Sequence, residues 1–157
     1  MLSRGLKVAA LASVSAAAVA ASGQAARSVS HDAYAALLKQ ADVKVTRVET
    51  PLEQVFGSKT STVPQLRKLM LASASVSTEL GRQFRAVSPP EPAAQAAGRA
   101  LSRGELDLGA ETRSLALHLP ATKPAALVYI QRQHPKGGSE VDRALTQLKA
   151  AGYRTGS

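Results

Sequence analysis

LGRQFRAVSPPEPAAQAAGRAL, residues 80–101, sets apolar residues at helical spacing on both sides of a cluster of three prolines. Proline fixes φ and lacks the N–H that an inner turn of helix needs, and the residue before it avoids the helical region. No helix therefore runs through Ser88–Pro92, although both flanks read as helix. So short a linker forces a sharp turn. Pro89-Pro90 is predicted to form a rigid corner that sets two helices antiparallel, with Phe84 and Val87 packing toward Ala97 and Leu101. The alternative reading is a Pro-rich recognition segment, which would have to be exposed and extended. SPPEP is wedged between two core-forming helices, which favours the corner.

Working outward, the helix before the corner carries Leu66, Leu69, Ser73, Val76, Leu80, Phe84 and Val87 at steps of three and four, a stripe that faces a neighbour. Thr62-Val63-Pro64-Gln65 opens it as a capping box with Pro in the first turn. The helix after the corner spans roughly Pro92–His118 with Ala94, Ala97, Leu101, Gly104, Leu108, Leu115 and Leu119. Its first half has small side chains that let another helix approach closely. Upstream, Tyr34, Leu38, Ala41, Val45, Val48, Leu52 and Val55 mark one helix over about Asp32–Phe56, with Ser30 as N-cap, a kink near Val48–Pro51 and Gly57 at its end. Downstream, Pro120–Lys123 reads as a turn and Pro124–Gln133 as a short helix. His134-Pro135-Lys136-Gly137-Gly138 reads as a break, and Ser139 with Asp142 as the cap of a last helix bearing Val141, Leu145 and Leu148. Gly152 then Tyr153 reads as a helix stop with an apolar residue folding back.

Five aromatics (Tyr34, Phe56, Phe84, Tyr129, Tyr153) leave the core to Leu, Val and Ala, which suits packed helices. The fold expected is all-α: an antiparallel up-and-down bundle of three long helices plus a broken fourth. Residues 26–153 form its single domain, and 154–157 a frayed tail. LGRQFRAVSPPEPAAQAAGRAL together with the terminal EVDRALTQLKAAGY resembles small secreted helical proteins common in high-GC, actinobacterial-type genomes. The resemblance implies a helical fold and export, and supplies no catalytic residue. Some of those proteins are anchored through a lipidated Cys, which this sequence lacks.

Export has its own signal. Arg4 and Lys7 precede an uncharged Ala- and Ser-rich run, and Gly23-Gln24-Ala25 offers small residues where a signal peptidase cuts. Residues 1–25 are expected to be a cleaved secretory signal peptide, placing the protein in the cell envelope or outside the cell. A membrane anchor would need about 20 strongly apolar residues. A mitochondrial transit peptide would spread Arg along the segment, whereas Val8–Ala26 holds no charge. Cleavage leaves 132 residues, enough for one core. The chain has no Cys, which removes disulfides, thiolate chemistry and cysteine metal sites.

Catalytic patterns are missing. The residues three before His31, His118 and His134 are Ser28, Leu115 and Gln131, so Glu-x-x-His is absent. H-E-x-x-H, G-x-S-x-G, the P-loop and G-x-G-x-x-G are absent too. Met70 and His118, on different long helices, are the candidates for axial haem ligands in a ligand-carrying alternative. The competing reading makes Met70 core filler and His118 a helix C-terminal residue. His31 and His134 read as surface residues. Glu105, Asp107 and Glu111 are the densest acidic group. Flanked by Arg103 and Arg113, they read as a solvated charged face.

The net charge of +9, or +7 after cleavage, is the global feature with functional content. Arg67, Lys68, Arg82, Arg85, Arg99, Arg103, Arg132, Lys136, Arg143 and Lys149 spread over the later helices and attract polyanions. Outside the cytoplasm these are anionic envelope polymers or lipid headgroups. Nucleic acid is a poor match, lacking aromatic platforms or a binding motif. The expectation is an exported, non-enzymatic bundle that works by binding or structural interaction.

Overall fold

The computed structural model describes residues 25–154. The expected signal peptide up to Gln24 and the tail beyond Arg154 lie outside the described residues. The chain forms β1 (Arg27–Ser28), α1 (His31–Gly57), α2 (Val63–Ala86), β2 (Val87–Ser88), α3 (Pro92–Leu117), α4 (Lys123–Gln131) and α5 (Lys136–Ala150). It is an all-α helical bundle. The two short strands pair in parallel, Arg27 with Val87 and Ser28 with Ser88, a contact between segments 60 residues apart that no local pattern announces.

Local chemistry explains most boundaries. The Ser30 hydroxyl accepts from the Ala33 N–H and opens α1. Thr62 and Gln65 exchange both bonds of the capping box at α2. α1 passes through Pro51 as one helix, as its in-phase stripe predicts. α5 ends on Gly152 at φ 94°, with the Tyr153 N–H bonded to Leu148 O at 3.0 Å and the Gly152 N–H to Lys149 O at 3.1 Å. A left-handed C′ glycine with these two bonds satisfies carbonyls that the helix end would otherwise orphan.

The start of α5 corrects the sequence reading. The helix begins at Lys136, so Gly137 and Gly138 lie inside its first turn, and Ser139 is not its cap. The orphan donors are taken by a distant carboxylate: Glu111 accepts from Lys136 N at 3.3 Å and Gly137 N at 3.1 Å. Gly137 is required there because a Cβ would sit 2.3 Å from Leu108 N and 2.7 Å from Gly104 O.

Contacts along α2 and α3 run in opposite sequence order. Gly81 meets Leu106, Thr78 meets Gly109, and Arg67 Nε donates to Ala116 O. α5 likewise runs antiparallel to α3, Gly137 against Leu108 and Val141 against Gly104. α3 is thus clasped on two sides, and it buries glycines and serine as well as apolar residues. At the corner Phe84, Ala97 and Leu101 share one apolar cluster with Val87 packed against it, Pro89 is fully buried, and Pro90 faces solvent.

The apolar interior divides in two. One cluster joins Tyr34, Leu38 and Ala41 of α1 to Leu80 and Phe84 of α2, Ala97 and Leu101 of α3, and Val141, Ala144 and Leu148 of α5. The other, at the opposite end, joins Val63, Leu66 and Met70 to Ala116, Leu119 and Ala126. Between them α3 places Ser102 and Glu105, and α2 places Ser77, all buried. No described helix is long and apolar enough to cross a membrane.

Candidate functional site

Three regions carry polar chemistry: a basic outer face, the waist between the two apolar clusters, and the end of the bundle that holds the corner.

The outer face follows from register. Ser102 Oγ donates to Gly81 O at 2.8 Å, which fixes α3 against α2 at that level. The next residue on each helix, Arg103 and Arg82, turns about 100° outward. Arg99 lies one turn from Arg103 and Arg85 nearly one turn from Arg82, and all four are exposed. Arg143 of α5 is exposed beyond the contact of Val141 with Gly104, on the other side of α3. Among the described residues the ion pairs are His31–Glu91 and Lys44–Glu79, and neither uses one of these arginines. Other cations of the sequence have structural work. Arg67 caps the end of α3 through Ala116 O. Lys123 Nζ donates to Val55 O at 2.9 Å, and to Ser58 O and the Ser61 hydroxyl, closing the end of α1.

The acidic group splits into separate roles. Glu111 caps α5, as described. Glu105 corrects the sequence reading of a solvated face: it is 5% exposed, and its Oε2 has no hydrogen-bond partner. Burial, opposed by the Ser77 hydroxyl and reinforced by the negative charge of Glu49, pushes its carboxyl up to about 7. Asp107, two residues on, is exposed.

At the bundle end, His31 Nδ1 meets Glu91 Oε1 at 2.8 Å, and the Tyr153 hydroxyl donates to Glu91 Oε2. The His31 ring stacks on Tyr153 with centroids 4.2 Å apart, and Tyr34 meets Tyr153 edge-on at 5.4 Å. The Tyr153 hydroxyl, with help from His31, holds the Glu91 carboxyl below its usual range against the opposing effect of desolvation. Burial pushes the Tyr34 phenol up to about 12. His31, read from sequence as a surface residue, is half-buried in this stack.

Met70 and His118 sit in different settings. Met70 is buried among Leu66, Ala116 and Leu119. His118 is exposed at the end of α3, with Nδ1 donating to Ser114 O at 2.8 Å. No group of three or more His, Asp or Glu that could hold a metal occurs among the described residues. No protein-family model, curated protein or solved structure matches the chain.

Proposed function

We propose that this chain is an exported, non-enzymatic helical bundle that binds phosphate-bearing polymers of the cell envelope through the outward arginines of α2, α3 and α5. The observation that carries the reading is the set Arg82, Arg85, Arg99 and Arg103 along α2 and α3, with Arg143 on α5, all exposed and without ion-pair partners among the described residues. Guanidinium groups grip phosphate oxygens bidentately, and a row of them suits a ligand whose charge repeats. The large apolar side chains most exposed are Val43, Leu117 and Val128, none of them among these arginines. A polar face without apolar wedges suits a polymer better than insertion into a bilayer.

The test is binding of the exported protein to polyphosphate and to vesicles of anionic or neutral lipid, across a salt series. Binding to polyphosphate that weakens steeply with salt and falls at least tenfold in Arg99→Gln/Arg103→Gln supports the proposal. Binding confined to anionic vesicles moves the partner to lipid headgroups. Binding unchanged in the double variant removes the arginine face from the function. Export itself is read from the intact mass of the secreted protein, which should start at or near Ala26.

A further inference from the structure

We propose that Glu105 is a proton-binding site that keeps the bundle closed at its waist: neutral, it lets α1 pack across α2 and α3, and ionised, it drives the second half of α1 away to admit water. The geometry carries this. Glu105 stands between two apolar clusters, 5% exposed, with Oε2 buried and without a partner. A buried carboxylate oxygen without a donor is expensive, so the site favours the form that carries a hydrogen. Neither ion pair found among the described residues, His31–Glu91 or Lys44–Glu79, involves it. α2 faces it with the Ser77 hydroxyl, and α1 contributes Glu49, whose negative charge opposes ionisation. The same forces raise its titration to the neutral range.

The direction of opening follows from how α1 is held. Its buried residues are Tyr34, Leu38 and Ala41, all in the first half. From Val45 onward its apolar residues are only half-buried, so this half of α1 is the less firmly packed. Pro51 removes one helical hydrogen bond within a turn of Glu49, giving α1 a place to bend. Lys123 still holds the far end through Val55 O and Ser58 O, so the expected motion is a bowing of the middle.

The sign is that of a carboxyl raised on folding. The folded state binds the proton more tightly than the unfolded state, so stability is full in acid and falls as pH rises from the ordinary value toward and past the raised one. A shift from 4.5 to about 7 corresponds to a loss of about 300-fold in the folding equilibrium constant at high pH.

The experiment is urea denaturation of the protein and of Glu105→Gln between about pH 5 and pH 9, with hydrogen exchange of α1 and a carbon-13 NMR titration of glutamate carboxyls. The expected result is a wild-type folding constant that falls about 75-fold more than that of the variant across this range, the part of the full loss that lies above pH 5. One glutamate should titrate near neutrality and be missing in the variant, and residues 45–57 should lose protection at high pH only in the wild type. Equal pH dependence in the two proteins, or glutamates that all titrate at ordinary acid values, overturns the proposal. Should Glu105→Gln not fold, the wild-type carboxyl titration decides alone.

Discussion

Replacing Gly137 with Ala and, separately, Gly138 with Ala should move stability in opposite directions. At Gly137 the added Cβ would lie 2.3 Å from Leu108 N, 2.7 Å from Leu108 Cα and 2.7 Å from Gly104 O. All three are backbone atoms of α3, so no side chain can swing aside, and α5 must lift. Forced separation in a packed interior costs about 1–3 kcal/mol. Lifting also stretches the bonds from Lys136 N and Gly137 N to Glu111, and hydrogen bonds to a charged group are worth about 1.5–3 kcal/mol. The combined loss should be about 3 kcal/mol, a drop of roughly 6–12 °C in Tm at about 2–4 °C per kcal/mol for a chain of this size. At Gly138 the nearest atom is Leu108 Cδ1 at 3.9 Å, so the methyl meets no obstacle. There the variant gains only the helix preference of Ala, at most about 1 kcal/mol. Urea and thermal denaturation followed by circular dichroism measure both. If Gly137→Ala is as stable as wild type, or if the two variants shift together, the close approach of α5 to α3 is wrong.

Leu80→Ala empties a fully buried position in the larger apolar cluster and should cost about 2–5 kcal/mol in urea denaturation. Glu111→Ala leaves the first N–H groups of α5 without their acceptor and should cost about 0.5–2 kcal/mol, with early loss of hydrogen-exchange protection in residues 136–140. Glu91→Gln tests the bundle end. Because folding lowers the Glu91 carboxyl, its contribution is present at neutral pH and lost as pH falls through the folded value, so the variant should show a shallower acid limb than wild type in denaturation midpoints.

Much of this architecture was legible because its signals are local. Ser30, the Thr62–Gln65 box, the proline corner and Gly152 each act within a few residues, and each sits where the sequence placed it. The stripe on α2 was legible with a small rotation. Met70, Ala74, Ser77 and Gly81 are buried where Leu69, Ser73 and Val76 were expected, because α2 turns its small residues toward α3. What escaped is non-local. The cap of α5 comes from Glu111, 25 residues upstream, and Arg27 finds its partner at Val87. Glu105 escaped for a related reason. An apolar stripe marks one contact line, whereas α3 is packed on two sides and buries a wider arc. Gly98, Ser102, Glu105 and Gly109 recur at steps of four, three and four, a small-residue line whose one carboxylate was the available signal.

The meeting of residues 27–29, 87–91 and 153 at one end of the bundle bears on the order in which the molecule assembles. Most helix contacts join neighbours in the chain and close short loops. The bonds of Glu91 to His31 and Tyr153 span 60 and 62 residues and gather three separate segments. Closing such spans early sacrifices the most chain entropy, so they form after the helices have paired. The same bonds are then late in folding and absent from its rate-limiting step. Weakening them, by His31→Ala or Tyr153→Phe, should leave the folding rate nearly unchanged and quicken unfolding, so that this end acts as a latch on the lifetime of the folded chain.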